Sequence, residues 1–136
     1  EIPAFLAARM REAGEAGIAP ERIVLDPGIG FGKTSAHNLE ILNRLDAFED
    51  LGRPLCVGVS RKAFIGLVLG LPPGERLEGT IAAAVLGRSR GARILRVHDI
   101  GPVARAVRMA EAILAAPGGP SGTGSGAQAT EGSHVG

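Results

Sequence analysis

The sequence predicts an α/β fold with a parallel sheet, because short apolar runs alternate with segments of helical periodicity. Three such runs, at residues 23–26, 55–59 and 94–97, are bounded by glycine, proline or polar residues. Continuous apolar runs of this length are typical of strands buried on both faces. Strands that alternate with helices are joined by right-handed crossovers, so we expect three adjacent parallel strands with the helices outside them.

Helices are predicted before the first strand and after each strand. Residues 2–15 carry apolar side chains at helical spacing, and two further helices are expected at residues 75–90 and about 103–114. Ser35 is the expected N-cap of the helix that follows the first strand. The apolar side chains predicted on one face of that helix are Leu39, Leu42, Leu45 and Phe48.

Composition and charge exclude several classes of function. Fifteen basic and fourteen acidic residues give a net charge of +1, which provides no electrostatic reason to bind nucleic acid or an anionic membrane. No apolar run approaches the ~18 residues that a membrane-spanning helix needs. Cys56 is the one cysteine and lies in an apolar run, so we expect a buried, inert thiol. A cytoplasmic protein with small-molecule partners is the corresponding expectation.

The chain divides into one domain and a tail. Residues 1–116 are predicted to form the domain, whereas residues 117–136 are rich in Gly, Ser, Thr and Pro and are expected to be disordered. The sequence begins with Glu1 and not with methionine, so we expect it to be part of a longer protein.

Polar residues follow all three predicted strands. Asp26 ends the first strand, Ser60 and Lys62 follow the second, and Arg96 and His98 lie at the end of the third. Ligands of parallel α/β folds bind outside the carboxyl ends of the strands. We therefore expect Asp26, Lys62, Arg96 and His98 to converge on one site.

Each of these residues also has a purely structural interpretation. Asp26 precedes a proline and suits a turn or a helix cap, but its carboxylate could equally accept two hydrogen bonds from a guanidine-like edge. Arg96 and His98 alternate along one strand and suit an anion such as phosphate. The structural alternative for Arg96 is a salt bridge to Asp99 or to another neighbour.

The glycine-rich loop at residues 28–32 resembles two nucleotide-binding motifs without matching either. A P-loop would require glycine where Pro27 stands, and a dinucleotide fingerprint would require glycine in place of Lys33. A tight strand-to-helix connection without further function is the remaining structural alternative.

Four motifs occur in order along the chain. They are LDPGIGFGKT at 25–34 with HNL at 37–39, VGVSRK at 57–62 with FIG at 64–66, ER at 75–76 with GT at 79–80, and RVHD at 96–99. Together these motifs resemble the dihydropteroate synthase family over residues 23 to about 116. The resemblance implies a (β/α)8 TIM barrel of which this chain holds the last three βα units and a preceding helix.

The resemblance also implies a reaction and its participants. Such an enzyme condenses (7,8-dihydropterin-6-yl)methyl diphosphate with 4-aminobenzoate to give 7,8-dihydropteroate and diphosphate. It implies Mg²⁺ as cofactor, with ligands expected on the substrate diphosphate and in the barrel strands that precede this segment. A homodimer is possible for the full-length protein.

By resemblance, the site residues take specific roles. Asp26 holds the amino-pyrimidine edge of the pterin, Lys62 reaches its ring polar atoms, and Arg96 packs on the ring and binds the diphosphate with His98. Lys62, Arg96 and His98 are the expected catalytic residues. The other residues expected at the substrates are Phe31, Gly58 and Ser60. Many relatives carry serine at the position of Ala63, so we do not expect the corresponding hydrogen bond near the aminobenzoate carboxylate here.

Two other interpretations remain open. A pterin-binding methyltransferase shares the barrel and an equivalent aspartate, but it should lack the SRK and RVHD motifs that are present here. The chain by itself could also be an inactive piece of a barrel. In such a piece the inner strand faces lose their partners, and exposed residues are expected among Ile23, Leu25, Val57, Val59, Leu95 and Val97.

Overall fold

The α/β architecture is confirmed by a computed structural model, which describes residues 1–30, 33–60 and 62–119. In chain order the helices and strands are α1 (Ile2–Glu15), α2 (Ser35–Asn43), β1 (Leu55–Gly58), α3 (Ala63–Leu69), α4 (Leu77–Ser89), β2 (Ala92–Arg96) and α5 (Ile100–Ala115). Short 3-10 helices occur at Pro20–Arg22, Leu45–Leu51 and Pro73–Glu75. Helices therefore follow both strands, as the alternating pattern predicts.

Strands β1 and β2 form a parallel pair. Their register places Cys56 opposite Ile94 and Gly58 opposite Arg96, with an irregularity between Leu55 and Cys56. Helix α4 runs between the two strands and supplies the crossover that a parallel pair requires. The carboxyl ends of both strands consequently lie at the same edge of the sheet.

The first predicted strand, at residues 23–26, is reduced to a single parallel bridge between Leu25 and Leu55. The Leu25 N–H donates to the Pro54 carbonyl at 2.9 Å, and the Cys56 N–H donates to the Leu25 carbonyl at 2.7 Å. The ladder cannot continue, because Pro27 has no N–H to donate. It cannot begin earlier, because the Ile23 N–H donates to the carbonyl of Pro20, the first residue of a 3-10 helix. The prediction of a complete third strand was therefore wrong, whereas the parallel direction was right.

Arg53 holds this short segment against the sheet. Its Nε donates to the Ile23 carbonyl and its Nη2 donates to the Glu21 carbonyl, both at 3.1 Å. These bonds replace part of the missing ladder, so the backbone ahead of Asp26 stays beside β1.

The core lies between the sheet and the helices. Leu25, Val57 and Val59 are buried, and Ile23, Leu95 and Val97 are partly buried against the same cluster. The expectation that this set contains exposed residues is therefore wrong. Side chains alternate along a strand, and the opposite face carries the exposed ones. On that face Val24 is 50% exposed and Ile94 is 43% exposed.

Helix α2 begins one residue away from the predicted cap position. Thr34 is the N-cap, because its side-chain oxygen accepts the His37 N–H at 3.1 Å, and Ser35 is the first helical residue. Leu39 is also not part of the buried face, since it is 44% exposed. The other residues predicted on that face, Leu42, Leu45 and Phe48, are buried, although the last two lie in a 3-10 helix.

The predicted boundary at residue 116 follows directly after α5, which ends at Ala115. Residues 120–136, most of the predicted tail, lie outside the described residues. Within the described ranges, no helix combines the length and the apolar character needed to cross a membrane.

We predict that the 136-residue chain, expressed alone, does not unfold cooperatively. The sheet face that carries Val24 and Ile94 is exposed, and so are four large apolar residues of α5, Ile100, Met109, Ile113 and Leu114. Each unburied aliphatic side chain forfeits about 1.5–3 kcal/mol, against a typical domain stability of about 5–15 kcal/mol. Thermal unfolding followed by circular dichroism should show a broad transition or association. A sharp transition in a soluble monomer would contradict this prediction.

Candidate functional site

The predicted site residues lie at the carboxyl edge of the sheet. Asp26 directly follows the Leu25 bridge, and Gly58 and Arg96 form the last register pair of β1 and β2. Lys62 is the N-cap residue of α3, four residues beyond the end of β1. The three segments that carry these residues are the Leu25 bridge, β1 and β2. Their ends lie close together in the fold although they are far apart in the sequence.

Asp26 and Arg96 form an ion pair across seventy residues of sequence. Arg96 Nη1 lies 3.3 Å from Asp26 Oδ2, while Asp26 Oδ1 accepts the Gly28 N–H at 2.8 Å. The structural interpretation of Asp26 as a turn residue is thus correct, and it coexists with the contact to Arg96. The carboxylate is exposed as well as paired, so it retains the capacity to accept hydrogen bonds from a ligand.

Arg96 reaches Asp26 by crossing over β1. Residue 58 must be small for this, since a Cβ at Gly58 would lie 2.5 Å from Arg96 Nη2 and 2.9 Å from its Cζ. The Cys56 sulfur also lies on this face, 3.7 Å from Arg96 Nη1. Cys56 is only partly buried, so the prediction of a buried thiol was wrong: the side chain faces the open side of the sheet and not the helices.

Lys62 bonds to the glycine-rich loop. Its Nζ donates to the Ile29 carbonyl at 2.6 Å. Gly30 has a φ of +89°, and a Cβ there would lie 2.8 Å from Lys62 Cδ, so glycine is required both for the backbone conformation and for the close approach. Lys33 reinforces the same loop by donating from Nζ to the Gly28 carbonyl at 3.0 Å.

Asn38 is a site-shaping residue to which sequence reasoning assigned no role. It lies on α2, is buried, and accepts the Gly30 N–H through Oδ1 at 2.8 Å. A buried amide with such a bond fixes the loop relative to the helix. The only sequence signal was its presence in the HNL motif at 37–39.

Arg76 is a second residue without a predicted role. Its Nε donates to the Leu71 carbonyl at 3.2 Å and its Nη1 donates to the Lys62 carbonyl at 3.4 Å, so it connects the two ends of α3. Gly66 leaves space for this, because a Cβ there would overlap the guanidinium. Lys62 is therefore held through its side chain by the loop and through its backbone by Arg76.

Burial is the main cause that lowers the pKa of Lys62 from its ordinary value of 10.5. The positive charges of Arg96 and Lys33 lower this pKa further, whereas the Asp26 carboxylate raises it. The pKa of Lys62 is lower in the folded state than in the unfolded state. The free energy of unfolding therefore rises as the pH increases from the lowered pKa through 10.5, where the penalty for burying the charged ammonium disappears. Asp26, Lys33, Lys62 and Arg96 therefore form one charge cluster, in which the other three charges act on Lys62.

Ser60 and His98 form a second contact at the same edge of the sheet. The His98 backbone N–H donates to Ser60 Oγ at 2.9 Å, and His98 Nδ1 lies 2.8 Å from the same oxygen. Ser60 is only 8% exposed, whereas His98 is exposed. The predicted substrate contact at Phe31 lies outside the described residues.

Comparison with known proteins shows which family this chain resembles. The profile described as "Pterin binding enzyme" matches residues 1–98. The chain belongs to this family. It is 44% identical over 116 residues to the dihydropteroate synthase of Escherichia coli strain K12, an alignment that covers 85% of this chain and 41% of that protein. The chain therefore spans about two fifths of the length of this curated relative.

Solved structures show the same similarity. A dihydropteroate synthase from Stenotrophomonas maltophilia superposes with a TM-score of 0.84 at 40% identity, covering 86% of this chain and 44% of that one. The Coxiella burnetii enzyme in complex with pteroic acid superposes with a TM-score of 0.82 at 38% identity, covering 85% and 44%. The fold described above is thus the fold of the matching part of these enzymes.

We predict that Asp26→Asn lowers the pKa of Lys62 further, because the Asp26 carboxylate is the charge that raises it. In the full-length gene product, competitive acetylation of Lys62 should begin at a lower pH than in the wild type. Asp46→Asn removes an equal charge from an exposed position before β1 and should leave the profile unchanged. If the pH profile of Lys62 acetylation in Asp26→Asn is unchanged or displaced to higher pH, then Asp26 does not raise the pKa of Lys62.

Proposed function

We propose that the chain is the C-terminal part of a cytoplasmic dihydropteroate synthase, comprising the last three βα units of its (β/α)8 barrel and the helix before them. The proposed reaction condenses (7,8-dihydropterin-6-yl)methyl diphosphate with 4-aminobenzoate. The observation that carries the proposal is the Asp26 carboxylate at the strand ends, which is exposed, ion-paired to Arg96 and adjacent to Lys62.

The pterin is the substrate whose hydrogen-bond donors match the acceptors of this cluster. A carboxylate accepts two parallel hydrogen bonds from a ring N–H and an adjacent amino group, and the amino-pyrimidine edge of a pterin offers both donors. Asp26 takes this role in the proposal. Lys62 provides an ammonium donor to the ring acceptors, and Gly58 leaves the space through which Arg96 lies flat beside the ring.

The chemical step requires charge stabilisation at the leaving group. The bond between the pterin methylene carbon and the diphosphate oxygen breaks, and its electron pair leaves with diphosphate. The arylamine nitrogen of 4-aminobenzoate forms the new bond to the methylene and then loses a proton. Arg96 and His98 are proposed to bind the diphosphate and stabilise the charge that grows on it. No protein nucleophile is required in this scheme.

Magnesium remains part of the proposal as a group bound to the substrate diphosphate. Among the described residues, no group of three or more His, Cys, Asp or Glu side chains converges on a point where it could hold a metal ion. The ligands proposed for the ion are the substrate diphosphate and residues of the barrel strands that precede this segment. A homodimer of the full-length protein remains a prediction.

We predict that Arg96→Ala in the full-length gene product lowers kcat/KM for dihydropteroate formation about a hundredfold, or about 3 kcal/mol of transition-state stabilisation. The loss follows from removing the cation next to the developing diphosphate charge. Arg93→Ala is the matched control, because Arg93 is an exposed arginine near the opposite end of β2. Unchanged turnover in Arg96→Ala would remove Arg96 from the mechanism. Absence of dihydropteroate formation in the wild type would reject the proposed function.

We also predict that Gly58→Ala impairs pterin binding without unfolding the protein. The new methyl group would displace the guanidinium of Arg96, whose side chain is long and exposed and can move at little cost. We expect kcat/KM for the pterin substrate to fall about tenfold, the effect of about 1.4 kcal/mol. Gly74→Ala, at a position with open space around it, should have no effect. Wild-type kinetics for Gly58→Ala would contradict the assigned path of Arg96.

A further inference from the structure

Ser60 accepts the backbone N–H of His98, so one role of its hydroxyl oxygen is settled. A backbone N–H can only donate, and the 2.9 Å separation between His98 N and Ser60 Oγ is an ordinary hydrogen-bond length. The serine oxygen therefore acts as acceptor in this bond. Its own hydroxyl hydrogen remains available for one further bond.

The second contact decides where that hydrogen goes. His98 Nδ1 lies 2.8 Å from Ser60 Oγ, and no other acceptor for the hydroxyl is found among the described residues. If Nδ1 carried the proton, Ser60 Oγ would accept twice and its own hydrogen would be left unpaired in a buried position. If Nδ1 is the acceptor, both groups are satisfied. The neutral imidazole then carries its proton on Nε2.

We propose that Ser60 is a positioning residue that holds His98 in the Nε2–H tautomer, so that the imidazole presents a hydrogen-bond donor to an anionic oxygen of the substrate. This inference rests on the proposed function for the identity of the anion, a diphosphate ester. It also changes the expected role of Ser60: its oxygen is buried and engaged twice by His98, so it acts through the histidine and not by direct contact with substrate.

The tautomer matters because the two forms present opposite groups to a ligand. Nδ1 and Nε2 lie on different sides of the ring, so a bond from Ser60 to Nδ1 leaves Nε2 for the exposed side. With the proton on Nε2, a neutral histidine donates to an anion. With the proton on Nδ1, Nε2 would present a lone pair, and an unprotonated phosphate oxygen has no hydrogen to donate to it.

The tautomer can be measured without substrates. Long-range ¹H–¹⁵N spectra of the full-length gene product, labelled at histidine nitrogen and recorded at a pH where His98 is neutral, should give a pyrrole-type shift for Nε2 of His98 and a pyridine-type shift for Nδ1. Ser60→Ala should lower the Nε2–H fraction of His98 to the tautomer mixture of a free imidazole, and Ser60→Thr, which keeps a hydroxyl, should retain the wild-type fraction. A pyrrole-type Nδ1 in the wild type would overturn the inference. So would an Nε2–H fraction in Ser60→Ala equal to that of the wild type.

Kinetics distinguish this inference from a failure of the proposed function. Ser60→Ala should raise KM for the pterin diphosphate about tenfold, the effect of losing one well-placed bond to a charged group, with a smaller change in KM for 4-aminobenzoate.

His98→Gln, whose amide can donate from the position of Nε2, should retain more activity than His98→Asn, whose amide corresponds to Nδ1. Equal activity of these two variants would contradict the Nε2 role. An inactive wild type with the expected tautomer would reject only the proposed function.

Discussion

The register between β1 and β2 is the constraint on which the rest of the site depends. It sets Gly58 opposite Arg96, and the glycine lets the arginine side chain cross the central strand to reach Asp26. A shift of one residue would turn Arg96 toward the helices, since side chains alternate between the two faces of a strand. The ion pair thus ties together the two outer segments of the sheet, although neither is hydrogen-bonded to the other along its backbone. The backbone pairing of β1 with β2 therefore determines which charged side chains meet at the strand ends.

The glycine-rich loop is shaped by side chains that come from other elements. Lys62 and Lys33 donate to its carbonyl oxygens, and Asn38 accepts from its backbone at Gly30. A loop of this composition has little conformational preference of its own, because glycine populates many backbone states. Its geometry is therefore imposed from outside. The same contacts bring two ammonium groups to the edge where Asp26 and Arg96 meet, which is why the charges influence the Lys62 pKa.

Positioning extends beyond the residues that are expected to contact substrate. Arg76 connects the carbonyl of Lys62 with that of Leu71, so the orientation of α3 is coupled to the lysine at its N-terminus. Ser60 performs the corresponding task for His98. Arg76, which is half-buried, holds the backbone of a functional lysine, and Ser60, which is buried, holds a histidine that is exposed. Such an arrangement limits the conformational freedom that a ligand would otherwise have to remove on binding.

Local patterns in the sequence were sufficient to predict several helices, two strands and the location of the candidate site. The periodicity of residues 2–15 predicted α1, the two apolar runs predicted β1 and β2, and the polar residues after the strands predicted the edge at which Asp26, Lys62 and Arg96 meet. These features depend on the alternation and spacing of neighbouring residues, which a sequence displays directly. Tertiary structure alone decided that residues 23–26 form one bridge, because the hydrogen bonds of Ile23 and the missing donor of Pro27 matter only once β1 lies beside them. It also decided which strand face is exposed and which roles fall to Asn38, Arg76 and Ser60, since hydrogen bonds between distant segments exist only after the chain has packed.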